Sequence, residues 1–386
     1  METFDPKPKL SADNGKPAKN KNSKLLGSRW KFSKHGECGL EIVDLLPETA
    51  KHADELCVLR GMHTDNENHP QALEQLHTGS FQFIRPSLGS WTLYGLGTEN
   101  QDLPGFISIN PLTSLGGLRY YSSAFLPAAY SASLLGDANL PSRNPTIGNL
   151  TNPRLTSVGQ RQQLDLLQAM NRDLIDGGQD ARVEGLIEAY ELAFRMQDAL
   201  PEVMDVASES KSTIAKYKAE ETFGRQCLLA RRFAEAGVRF IEITHTDWDH
   251  HGFLNTLMTK NCAAIDSPIA ALLGDLKQRG MLDETLVVWG GEFGRTPDDP
   301  TTDGRGHNNH GYSMWMAGGG VRGGIAHGAT DEYGYEAIEG KVHTHDLHAT
   351  ILHLLGLDHE RLTYRYGGRD FRLTDVKGHV VKEILS

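Results

Sequence analysis

Cysteine is scarce and scattered. Cys38, Cys57, Cys227 and Cys262 are the four cysteines in 386 residues, and no two form a C-x-x-C pair. That spacing argues against a zinc-thiolate site or a disulfide framework and leaves four free thiols. No run of about 18 apolar residues occurs, so no membrane-crossing helix is expected. Positive charge is also short: 39 Lys and Arg stand against 50 Asp and Glu, a formal net charge of −11. Such a balance argues against nucleic acid as the main partner, while a local site can still hold metal cations or a small anion. The opening METFDPKPKL has neither the charged n-region nor the apolar h-region of an export signal. The chain as it stands is therefore expected in the cytoplasm, or exported if its start lies upstream. What the sequence has is core: 39% hydrophobic and 23% charged residues suit one large folded α/β chain rather than disorder.

Residues 11–24 are polar and Lys-rich and read as a solvated loop. Leu56–Arg60 reads as a strand, and Pro70 suits the first turn of a helix over QALEQLH. Between 87 and 152 the chain is rich in Gly, Pro, Ser and Asn, with the short apolar run FISI as a strand among long loops. From 157 to 237 apolar residues recur every three or four positions in three successive segments, which predicts helices. The part over 157–218 is expected to form a helical insertion beside the sheet. Val238–Ile243 is a strand, followed by a helix from Phe253 to Gly280, a strand at Val287–Trp289, a strand at Ser313–Ala317 and a helix over HDLHATILHLLG. This alternation predicts an α/β fold with a mainly parallel central sheet and helices on both faces. Ligands in such folds sit beyond the carboxyl ends of the strands.

Three strand ends carry the chemistry. THTDWDHHG follows Val238–Ile243. In extended backbone Asp249 and His251 share a side; in a helical turn Asp247 and His251 do. Either pair offers one carboxylate oxygen and one imidazole nitrogen, a mixture suited to zinc, manganese or iron; the plainer reading is a polar loop with capping aspartates. VVWGGEFGRTP presents Glu292 beyond two glycines, with Arg295 able to pair with it or to hold an anion in its planar fork. GRGHNNHG places His307 and His310 in a Gly/Asn-rich loop, either of which could complete a site begun by Asp249 and His251. The later His343, His345, His348 and His353 flank or lie on an amphipathic helix and read as packing or surface residues.

Order and spacing here resemble the alkaline phosphatase-like superfamily, which includes the sulfatases. FDPKP, WDHHG, GGEFGRTP, MAGGGVRGG, GATDEYG and the block from LHATILHLLG to RLTDV look more closely like the DUF1501 family, a group abundant in planctomycete-type bacteria. The resemblance implies a binuclear divalent-metal hydrolase of sulfate or phosphate esters, acting on a small anionic ester or a sulfated glycan. Zinc or manganese would suit it best, with calcium a further option. Asp249, His251 and His307 would hold one metal, with Asp247 competing, and Glu292 the other. The superfamily's opening metal-binding strand is missing, which leaves Glu2 and Asp5 as the acidic candidates there. Counting back ten residues from Gly79 in HPQALEQLHTG, where relatives carry the nucleophile, gives His69, able to bind metal or accept a proton; Thr64 and Ser80 lie nearby but out of place. The alternative implied is a non-catalytic, metal-binding relative.

Overall fold

The computed structural model describes residues 3–7, 24–139, 145, 150, 152–176, 181–299 and 303–386. Glu2 and the polar stretch 11–23 lie outside the described residues. The helices are α1 (His69–Thr78), α2 (Leu88–Leu96), α3 (Ser157–Asp176), α4 (Ala181–Met204), α5 (Lys211–Lys216), α6 (Thr222–Glu235), α7 (Leu254–Gln278) and α8 (Thr344–Leu354). All but α2 and the short α5 fall in segments where the sequence pattern predicts helix. WTLYGL in α2 is apolar on nearly every side, because Trp91 and Leu93 are buried, so no amphipathic period marks it.

The sheet departs from expectation. The strands do not form one parallel sheet but several small ones. The five-stranded sheet is mixed: Tyr312–Ala317 runs antiparallel to both Leu56–His63 and Val287–Trp289, while Ile325–His327 and Val342–His343 add to Leu56–His63 in parallel. A separate three-stranded parallel sheet joins Ser133–Leu135, Phe106–Ile109 and Phe240–Ile243. The cause lies in the connections. A parallel return needs a crossover, usually helical, whereas the described residues between Trp289 and Tyr312 form only short extended pairs, and the chain comes back antiparallel. Among the described residues, α7 links strands of two different sheets rather than neighbours in one.

Leu56–His63 is the central strand, buried on both faces over Leu56–Leu59, which is why its first four residues read as an apolar run. Leu56 and Val58 enter a core with Trp315, Ala317 and the α7 residues Cys262, Ile265 and Leu273. Cys57, Leu59 and Met62 enter another with Met314, Met316 and the α8 residues Leu347 and Ile351. A third core gathers Ile107 and Ile109 with Leu228 and Phe233 of α6 and with Met196 and Leu200 of α4, so the helical segment contributes to the packed interior. FDPKP packs too: Phe4 is fully buried and edges onto Trp289. Asp5 accepts from Thr330 Oγ1 (2.8 Å) and pairs with Lys7 (3.0 Å), which occupies it structurally. No helix among the described residues is long and apolar enough to cross a membrane.

Candidate metal centre

The loop after Phe240–Ile243 turns at Asp247, whose φ of +71° is left-handed, a conformation uncommon outside glycine. The Asp247 carbonyl accepts from Nε2 of His250 (2.8 Å) and from Nδ2 of Asn261 (2.5 Å). This turn buries His250 and leaves Asp249 and His251 about half exposed. α7 begins here without a local side-chain cap. Asp303 supplies one instead: its carboxylate accepts from the Phe253 N–H (3.0 Å) and its carbonyl from the Leu254 N–H (2.9 Å). The next residue must be glycine, since a Cβ on Gly304 would lie 2.1 Å from the His251 carbonyl oxygen. A short antiparallel ladder then sets His307 opposite Arg295 and Asn308 opposite Gly294. Asn309 exchanges backbone and side-chain hydrogen bonds with Thr64 beyond Leu56–His63. Three loops and the start of α1 are thereby locked together.

Asp249 Oδ1 is their meeting point. Arg295 Nη1 lies 2.6 Å from it, His251 Nε2 2.9 Å, and His69 Nε2 and His307 Nε2 3.2 Å each. His251 Nε2 is also 3.0 Å from His307 Nε2. Burial alone would raise the Asp249 pKa, but the Arg295 guanidinium, then His69 and His307, hold it far below the ordinary carboxylate range. The opposite holds for His69: a very short contact between its Nδ1 and Glu292 raises its pKa against the effect of burial.

The outer ring nitrogens decide what the inner ones offer. His307 Nδ1 donates to the Glu67 carbonyl (2.6 Å), and His69 Nδ1 faces Glu292. A neutral ring that donates at Nδ1 turns a lone pair inward at Nε2, the arrangement by which carboxylates and carbonyls orient metal-binding histidines. Here both inward lone pairs face a carboxylate oxygen, and His69 Nε2 makes no directed hydrogen bond despite its 3.2 Å contact. The raised His69 pKa lets a proton bridge this ring and Asp249, and a bound cation would take that proton's place. Tetrahedral zinc with ligands at about 2.0–2.2 Å spaces them roughly 3.3–3.5 Å apart, close to the separations found. The donor set His69, Asp249, His307, with His251 at its edge, fits a zinc-class cation.

A family model described as "Protein of unknown function (DUF1501)" matches residues 1–385. The chain belongs to the DUF1501 family. No curated protein matches it significantly.

In this DUF1501 chain the structure brings together Asp249, His251, His307, Arg295, His69 and Glu292. Glu292 reaches the cluster through His69 rather than through Asp249. Two expected members stand apart. Asp247 is exposed and contributes its carbonyl to the turn, because its left-handed backbone aims the following residues inward. His310 is exposed beyond Asn308 and Asn309, whose buried amides fix the loop with its ring outward. Neither nearby alcohol is free: buried Thr64 donates to Gln75 Oε1 (3.0 Å), and Ser80 Oγ accepts from the Phe83 N–H (3.2 Å). Tyr120, within the Gly- and aromatic-rich segment, donates to the Pro70 carbonyl (2.8 Å) and so reaches the first turn of α1. Sequence reasoning missed His77, two turns along α1, which pairs with Glu242 (3.3 Å) and stacks on Tyr120. It also missed Asp303, since a cap supplied from 50 residues away leaves no local pattern.

Proposed function

We propose that this DUF1501 protein is a metal-dependent hydrolase of sulfate or phosphate esters. The observation that carries the proposal is the convergence of three imidazole nitrogens on Asp249 Oδ1 with a guanidinium alongside. Asp249, His69 and His307 would hold the cation, with His251 adjoining. A zinc- or manganese-class ion bound there supplies Lewis acidity toward an ester oxygen and brings the pKa of water near 7. Arg295 offers its fork to the anionic oxygens of the ester. Glu292 fixes the orientation of His69 through Nδ1, so that a bound cation would displace the proton at Nε2. With Thr64 and Ser80 tied elsewhere, attack falls to water rather than to a side-chain alcohol. The half-exposed rim at Asp249 and His251 leaves room for a bulky alcohol portion, such as a glycan.

That same lack of a placed alcohol favours a second reading, a metal-binding relative without turnover. One experiment separates them. Purified protein loaded with zinc or manganese is assayed on aryl sulfate and aryl phosphate esters. The hydrolase reading expects metal-dependent turnover that falls at least about 100-fold in His69→Ala. Metal retention with no turnover on either ester favours the second reading, and no metal retention sinks both.

A further inference from the structure

A second group of ligating side chains lies beyond the carboxyl end of Leu56–His63 and shares no residue with the first. The parallel ladder pairs His343 with His63. Two residues on along each segment stand His345, in the first turn of α8, and Asp65, in the bend after the strand. Asp65, His343 and His345 each offer a ligand atom within 4.8 Å of the others. His345 is 4% exposed.

The hydrogen bonds around this group are directed outward. His345 Nε2 donates to the Gly79 carbonyl (2.8 Å), so a neutral ring keeps a lone pair at Nδ1. His343 Nδ1 accepts from the His345 backbone N–H (3.2 Å), which requires a lone pair there as well. These two Nδ1 atoms are 3.0 Å apart. Facing lone pairs at that distance repel unless a proton or metal ion lies with them. On the other side of the ring, His343 Nε2 is 3.2 Å from Asp65 Oδ1 yet is buried with no directed hydrogen bond. The remaining Asp65 oxygen, Oδ2, is already engaged by Gln75 (2.6 Å) and Lys377 (3.3 Å). His345 and Asp65 thus meet His343 at its two opposite ring nitrogens, and the single proton of a neutral ring cannot serve both contacts.

We propose that Asp65, His343 and His345 form a second divalent-cation site, of zinc-binding N/O character, independent of the cluster at Asp249. Two imidazoles and one carboxylate match the three-ligand sets that leave zinc a further position. Asp65 and His345 also line a cavity of about 400 Å³ whose wall includes Arg85, Arg372 and Lys377, cationic side chains suited to an anionic co-ligand.

The test is calorimetric titration of chelator-stripped full-length protein with zinc, repeated with cobalt(II) to read the visible absorption of a tetrahedral site. The wild type is expected to bind two equivalents. Asp65→Asn, nearly isosteric, and His345→Gln are each expected to bind one, while keeping the equivalent that His307→Ala loses. Circular dichroism identifies any variant that fails to fold, and Asp65→Asn, on the cavity wall, is the milder of the two. If the folded variants still bind two equivalents, the second site is wrong; a single wild-type equivalent that is lost in Asp65→Asn and kept in His307→Ala would count against the first cluster instead.

Discussion

The two histidine groups of this protein invert one another. Around Asp249 the rings stand at a rim, their carboxylate is 48% exposed, and hydrogen bonding to acids raises the pKa of His69. Around His343 the rings are packed against α1 and α8, and burial pushes His343 down to about 4 and His348 to about 3. The same residue type is charged up in one place and kept neutral in the other. The difference is solvation: a rim histidine beside carboxylates gains from carrying a proton, and an interior one loses more in desolvation than any neighbour returns.

The sharpest way to break this contrast is Asp249→Ala. With the meeting point of the rim removed, ester turnover should fall by about 1,000-fold or more, while urea unfolding shifts by less than about 1 kcal/mol, as expected at a half-exposed position. A large loss of stability instead would mean that the rim group is structural glue.

The acid limb of stability should be set by the interior group. For His348 the folded pKa lies near 3, below the ordinary value near 6.5, so between those values the unfolded chain binds more protons and stability falls as pH falls. From pH 7 to pH 5 this single ring should cost about 2 kcal/mol. His69 works the other way: its pKa is raised, so its contribution is present at low pH and fades as pH climbs through the raised value. His348→Gln keeps a donor for the Leu76 carbonyl but cannot titrate, and urea titrations at pH 7 and pH 5 should show a smaller difference than in the wild type. An unchanged acid limb would remove the interior histidine from the explanation.

The rim was far more legible in the sequence than the interior. WDHHG, GEFGR and GRGHNN each put metal-loving or cationic side chains beside glycines after strands, and a loop with little apolar content can only spend such residues on solvent or on a site. Asp247 and His310 match the same pattern, and nothing local says that one turns left-handed and the other faces out. His343 and His345 sit where the chain enters an amphipathic helix, so their spacing reads as packing. Their partner Asp65 lies nearly 280 residues earlier, and only the parallel pairing of Val342–His343 with Leu56–His63 joins them. The clue available was the matching spacing of His63-x-Asp65 and His343-x-His345, one at a strand end and one at a helix start. The sense of the sheet was not legible for a related reason. Apolar runs mark strands, but direction is decided by connections, and the one from Trp289 to Tyr312 has no helix among its described residues to carry a parallel return.

The smallest effect expected tests how the rim is held. α7 begins at Leu254 with its first amides satisfied by Asp303 rather than by its own preceding residue. The loop that provides this cap continues through Gly304 into His307, so helix capping and ligand placement are one mechanical unit. Asp303→Ala should cost about 1 kcal/mol, the usual loss for a helix cap. If the cap also positions His307, zinc affinity at the rim should weaken in the same variant, while the equivalent held by Asp65 and His345 is unmoved because that group is anchored by Gly79, Gln75 and Lys377. Weakening at both would mean that a loosened α7 is felt through the whole core. Weakening at neither would mean that the Gly304 contact and the His307–Arg295 ladder hold the ligand loop without the cap.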